Sequence, residues 1–288
     1  MNRLTTQDRV RILTMLFEGM GVNAACRATG ASKNTELKLL ADVGQACQLF
    51  QDQTLRNLQV EWLEVDEIWA FIGMKQKKVP ADADPTLGLG DCYTFTAIDP
   101  VTKLMPCWML GYRTAECADH FMADLKSRFK VDADCKLVTR LQLTTDGMTG
   151  YPAAVAKHFG KGVDYAVLNK TYAMPVPAKE AKRRYSPNEV VGTTKAVVIG
   201  KPDQALVSTS LVERANLSMR MGMRRFTRLT NAFSKKLENH MHAVSFYFMV
   251  YNFVKVHGSI KTTPAIKAGV TPMRWTMEDI LDMADTMQ

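Results

Sequence analysis

From residue 60 onward, helical spacing of apolar residues gives way to strand-like runs, and three of these follow one another without a helix between them. Glu61–Trp69, Cys92–Ile98 and Lys103–Leu110 read as strands, the second turned by Asp99-Pro100. An amphipathic helix at 114–129 comes next, with Ala118, Phe121, Leu125 and Phe129 on one face. A fourth strand, carrying Leu137, Val138, Leu141 and Leu143, ends abruptly at Asp146-Gly147. A helix at about 151–159 and a strand at about 163–168 complete the order β-β-β-α-β-α-β, after which the chain is helical. Few sheet topologies accept that order, because parallel neighbours need a crossover helix and antiparallel ones need only a turn.

Three meandering strands followed by α-β-α-β is the order of a ribonuclease H-like mixed sheet, an α/β core whose first strand is central and pairs in parallel with the fourth. On that plan Asp66, midway along the first strand, and Asp146, at the tip of the fourth, converge at one sheet edge. Alone, Asp146-Gly147 is ordinary turn chemistry. Paired with Asp66 it becomes a candidate metal site, since two such carboxylates repel unless a cation lies between them. Mg2+ suits the donors, being hard and oxygen-seeking, and it keeps waters that substrate phosphates can replace. Two such ions about 3.5–4 Å apart can activate an attacking oxygen and stabilise a leaving one.

A third acid is expected from the helix that begins near Ser208. Glu213 shares a stripe with Asn216, Arg220 and Arg224, while Val212, Ala215 and Met219 form another stripe suited to the sheet. The competing reading of Ser210-Leu211-Val212-Glu213 is a capping box. Glu64 lies on the same strand face as Asp66 and is the fallback ligand; alternation sends Glu67 to the opposite face. The five histidines lack zinc-pair spacing, and no two of the six cysteines stand as Cys-x-x-Cys, so no zinc is expected.

Before residue 60 the chain reads as three helices, at about 6–18, 22–29 and from Ser32 to about 50, with Gly19-Met20-Gly21 and Gly30 between them. That is the plan of a helix-turn-helix, whose last helix enters the major groove. Lys33, Asn34 and Lys38 lie near its leading end and are the expected contacts; the alternative is a small bundle that contacts only protein. A net charge of +8 in 288 residues favours an anionic partner. Arg214, Asn216, Arg220, Arg224, Arg225 and Arg228 extend the candidate DNA-binding set beside the catalytic helix. The N-terminus lacks a signal-peptide core, and the apolar stretch 243–254 is too short to span a bilayer, so a cytoplasmic, nucleoid-associated protein is expected. The chain divides into a DNA-binding unit at 1–55, a catalytic unit at 56–257 interrupted by an insertion at about 170–207, and a tail at 258–288 broken by Pro264 and Pro272.

The segments VDEIW, TTDG, STSLVERANLSMRMGMRRFTRLTNAFSKKLENHMHA and YNFVKVHGSIKTTPAIKAGVT together resemble bacterial transposases of the insertion-sequence-one family. The resemblance runs from about residue 60 to 272 and is most specific over 211–240. It implies a ribonuclease H-like domain with an Asp-Asp-Glu triad on Asp66, Asp146 and Glu213, two Mg2+ ions with Mn2+ as substitute, and DNA cleavage and strand transfer at terminal inverted repeats. Double-stranded element ends and target DNA are the implied partners, handled by a homo-oligomer on DNA. The chain departs from the family's shorter members in lacking a zinc finger before the helix-turn-helix and in carrying the 170–207 insertion. A purely hydrolytic nuclease on the same core, and a non-catalytic DNA-binding derivative, are the alternative functions.

Overall fold

The computed structural model describes residues 4–173, 190–227 and 230–287. Three helices lead the chain: α1 (Thr6–Phe17), α2 (Val22–Thr29) and α3 (Lys33–Thr54). Thr5 and Ser32 accept backbone N–H bonds at the starts of α1 and α3, and Gly30 ends α2 in the left-handed region at φ 76°.

The strands are β1 (Trp62–Ile72), β2 (Gly90–Ile98), β3 (Trp108–Gly111), β4 (Leu141–Thr145), β5 (Val163–Tyr172) and β6 (Val190–Ile199). They form one sheet in the order β3-β2-β1-β4-β5-β6. β1 pairs antiparallel with β2 and parallel with β4, and β4 pairs parallel with β5. This is the ribonuclease H-like arrangement expected from the strand order, with β1 central. Two crossover helices, α4 (Ala115–Ser127) and α5 (Tyr151–Phe159), connect β3 to β4 and β4 to β5. The later helices are α6 (Ser210–Gly222), α7 (Leu237–Met249), which continues into a π-turn at Val250–Val254, α8 (Pro264–Lys267) and α9 (Met277–Thr286). No described helix is long and apolar enough to cross a membrane.

Three sequence expectations need correction. The insertion expected at 170–207 is partly sheet: β5 continues to Tyr172 and β6 returns antiparallel beside it, so the KAVVIG run lies in the edge strand. Pro175, Pro177, Pro187 and the basic 182–184 run lie outside the described residues, as does Arg228. β3 is shorter than its apolar run. Leu104, Met105 and Cys107 are buried, but Asn252 supplies the partner a strand would have given: its Oδ1 accepts the Met105 N–H and its Nδ2 donates to the Met105 carbonyl, each at 3.0 Å. The tail is not merely broken loop. Thr276 and Asp279 form a reciprocal cap that starts α9, and Ile280, Leu281 and Ala284 are fully buried. Arg9 of α1 grips Asp285 of α9 with two hydrogen bonds of 2.8 and 2.7 Å.

One contiguous apolar core runs from α1 and α3 through the sheet to α7 and α9. The connection between α3 and β1 is itself part of it, with Leu55, Leu58 and Val60 buried. α3 lies so close to α7 that a Cβ on Gly44 would stand 2.5 Å from the His242 carbonyl oxygen.

Candidate active site

β1 and β4 run side by side in a register that pairs Glu64 with Thr144 and Val65 with Thr145. One further step brings Asp66 abreast of Asp146, just where β4 stops. β1 continues past that point, so its edge is open and a carboxylate from either face can reach round it. At Gly147, which follows, a Cβ would stand 2.4 Å from Asn169 Oδ1 on β5, so a larger residue would require the Asn169 side chain to move. Asp146 Oδ1 then accepts the Met148 N–H at 3.0 Å, fixing the turn.

Among the described residues, Asp66, Glu67 and Asp146 place one carboxylate oxygen each within 4.8 Å of one another. Glu67 is the member that alternation hides. Its backbone does face away from Asp66, toward α4 and α5, where the Tyr151 hydroxyl donates to Oε1 and Arg113 Nε donates to Oε2 at 3.2 Å. Arg113 also reaches Asp146 Oδ2 through Nη2 at 2.6 Å, bridging two of the three acids. Nothing local in the sequence marks Arg113, which precedes the α4 N-cap Thr114. Only the tertiary fold brings it to the sheet edge.

α6 forms the other wall. Val212, Asn216 and Met219 are its buried stripe, so Asn216 is not the exposed DNA contact expected of it. It is 2% exposed, donates through Nδ2 to Asp66 Oδ2 at 2.9 Å, and accepts from the Thr96 hydroxyl at 3.3 Å. Glu64, the fallback ligand, instead caps this helix: Oε2 accepts the N–H groups of Leu211 and Val212 at 2.7 and 3.0 Å. That replaces the capping box read at Ser210–Glu213. Glu64→Ala should therefore cost about 1.5–3 kcal/mol of stability, and Glu64→Gln less, because hydrogen bonds to a charged acceptor are the stronger kind. Urea unfolding checks this; a Glu64→Ala chain as stable as the unaltered one would remove the capping role.

Glu213 sits one turn before Asn216 and outside the close acidic group. Its Oε1 takes the Lys170 ammonium and the Thr209 hydroxyl, the latter at 2.6 Å. Its charge nevertheless contributes, after burial and Asp146, to raising the Asp66 pKa. Of the expected DNA contacts, Lys33, Asn34, Lys38, Arg214 and Arg224 are exposed, Arg220 and Arg225 are half-buried, and Lys38 is held by Asp42 at 2.7 Å.

The donor set is three hard oxygen acids in a small space, which fits a divalent cation. Burial first, then the charge of Asp146, pushes Asp66 up to about 6 and Glu67 up to about 7. Both carboxyls thus hold protons more tightly folded than unfolded, where they titrate near 4. Their contribution to stability is full below about pH 4 and is lost as pH rises through about 6 and 7. A cation bound by the ionised carboxylates acts in the opposite direction. Thermal unfolding at pH 5.5 and 7.5 should show Mg2+ or Mn2+ raising the midpoint more at pH 7.5. Equal shifts at both values would place the cation elsewhere.

No family model and no curated protein matches the chain in sequence. Solved structures similar to it include a piggyBac transposase synaptic complex with hairpin DNA, at 11% identity and a TM-score of 0.41, covering 99% of this chain and 72% of that one. Others are a Mos1 strand transfer complex, at 13% identity and a TM-score of 0.22, and a Mos1 transposase paired-end complex with the left transposon end, at 10% and 0.22. The match covers 55% of this chain in both cases and spans only 56% and 58% of those chains.

Proposed function

We propose that the chain is a DNA transposase of the Asp-Asp-Glu type, akin to the insertion-sequence-one family, which cleaves phosphodiesters at element ends and joins them to target DNA. The observation that carries this reading is the register of β1 on β4, which sets Asp66 beside Asp146 at an open sheet edge. Asp66, Asp146 and Glu213 would hold Mg2+, with Mn2+ as a substitute. Glu67 stands close enough to Asp66 and Asp146 to lend a further oxygen. When bound, the cations supply Lewis acidity to the scissile phosphate and its attacking oxygen.

The chain's own groups do the rest. Asn216 holds the Asp66 carboxylate in place, and Tyr151 and Arg113 hold Glu67. Lys170 pairs with Glu213 and Arg113 with Asp146, and both would be available to phosphate oxygens once those acids hold a cation. Lys33, Asn34 and Lys38 at the leading end of α3 would read the terminal repeat, and Arg214, Arg220 and Arg224 would grip backbone beside α6. Joining two ends calls for more than one copy on the DNA, in the nucleoid.

The test is Mg2+-dependent cleavage and joining of duplex DNA carrying the element's own ends, with each acid replaced by its amide. Glu213→Gln should cost as much activity as Asp66→Asn. If Glu67→Gln is the inactive variant and Glu213→Gln is not, the third ligand is Glu67. Cleavage without joining would identify a hydrolytic nuclease.

A further inference from the structure

A cleft of about 640 Å³ opens between the amino ends of α2 and α3 on one side and residues 223–247 on the other. Six cations line it, Arg27, Lys33, Arg224, Arg225, Lys235 and Lys236, and no Asp or Glu does among the described residues. The first turn of α2 also opens onto it. That helix begins at Gly21 with no side-chain cap, leaving N–H groups at the positive end of the helix. Leu16, Met20 and Leu37 add apolar surface.

Arg225 is the telling member. Its Nη1 donates to Ser234 Oγ at 3.1 Å, and no described carboxylate pairs with it. Burial alone pushes its pKa down to about 10. The nearby His240 is no counter-ion. Its Nδ1 is occupied by Ser234, and burial, followed by the Arg225 charge, pushes it down to about 3. A guanidinium half shielded from water with no described carboxylate beside it is a place where an anion is favoured. Here the missing anion is expected from outside the chain.

We infer that this cleft binds the backbone of an unpaired DNA strand, with a phosphate on Arg225 and a base against the apolar wall. The inference rests on the DNA reading above and shares Lys33 and Arg224 with it at the rim, but its centre, Arg225, lies away from the carboxylates. Ser234 pairs with Ile72, six residues beyond Asp66 on β1, or roughly 20 Å along the strand. A cleft of about 640 Å³ is small beside a duplex, whose major groove by itself is wide enough to admit a whole α-helix, so it suits a short stretch of single strand. Cations that track a backbone, alongside surface for bases, are the usual means of holding a single strand.

The experiment measures fluorescence anisotropy of the full chain with a labelled single-stranded 12-mer, a blunt duplex and dTMP, in EDTA so that no cleavage occurs. The unaltered chain should bind the single strand with a salt slope set by phosphate contacts. Arg225→Met should weaken single-strand binding at least tenfold and duplex binding less than twofold, while leaving the unfolding midpoint unchanged or higher. Arg225→Lys should recover part of the loss. Unchanged single-strand binding by Arg225→Met overturns the assignment. So does a lowered midpoint with equal loss on both DNAs, which would make Arg225 structural. Binding of dTMP as tight as that of the 12-mer would make this a nucleotide site and not a strand site. None of these outcomes depends on whether the carboxylates cleave DNA, and a chain that cleaves duplex ends yet ignores the single strand would refute only the cleft.

Discussion

A chain carrying Asp146→Asn should bind duplex element ends within about a few-fold of the unaltered protein and show no metal-dependent cleavage or joining. The amide keeps the shape of the side chain, and its Oδ1 can still accept the Met148 N–H that fixes the turn. What disappears is one negative charge beside Asp66 and Glu67. Metal-based stabilisation of a phosphoryl transition state is worth several kcal/mol. At 1.36 kcal/mol per decade, its loss slows the reaction by about a thousand-fold or more. The same change removes the Asp146 charge that helps raise both neighbours, so the fall in stability between pH 5.5 and 7.5 should shrink. An Asp146→Asn chain that still cleaves at an appreciable rate in Mg2+ would move the chemistry away from this sheet edge.

The second large effect is on stability. Glycine in the middle of a helix normally costs about 0.8–1.0 kcal/mol relative to alanine, so Gly44→Ala would help an isolated α3. In the folded chain it should do the reverse. The new methyl would meet the His242 carbonyl oxygen at 2.5 Å, its Cβ at 2.6 Å and its Cα at 2.7 Å. Two of those atoms are backbone and cannot rotate away, so the helices must separate. Overpacking of this kind costs about 1–3 kcal/mol, enough to outweigh the propensity gain at the upper end. Gly44→Leu should go further and prevent α3 from seating on α7. Thermal unfolding measures both; a Gly44→Ala chain more stable than the unaltered one would mean that the contact is looser than it stands here.

The sheet was legible in the sequence because strand order and the tips of two strands are local facts that topology rules turn into neighbours. Asp66 and Asp146 followed from that. Glu67 did not: alternation does send it to the opposite face, but the pairing of β1 with β4 ends at Thr145, and the Glu67 carboxylate reaches round that open edge to the other two. Asn216 and Glu64 were misread for a related reason. Val212 and Met219 turned inward as their stripe predicts, but Asn216, one position beyond Ala215, was buried with them, and Glu64 met the start of α6, a neighbour that strand alternation does not reveal. β6 and α9 were hidden by prolines and polar neighbours, although each found a partner in a distant element, β5 and α1. Arg113 has a role defined entirely by residues more than thirty positions away.

The burial of Leu55, Leu58 and Val60 between α3 and β1, with α3 seated on α7 at Gly44, joins the N-terminal helices and the sheet in one frame with a shared core. If the leading end of α3 reads a DNA sequence, that frame behaves as a caliper. The number of base pairs between the sequence read and the bond cut is then set by the protein's skeleton, and the same DNA shifted by one pair would present a different phosphate to Asp66 and Asp146.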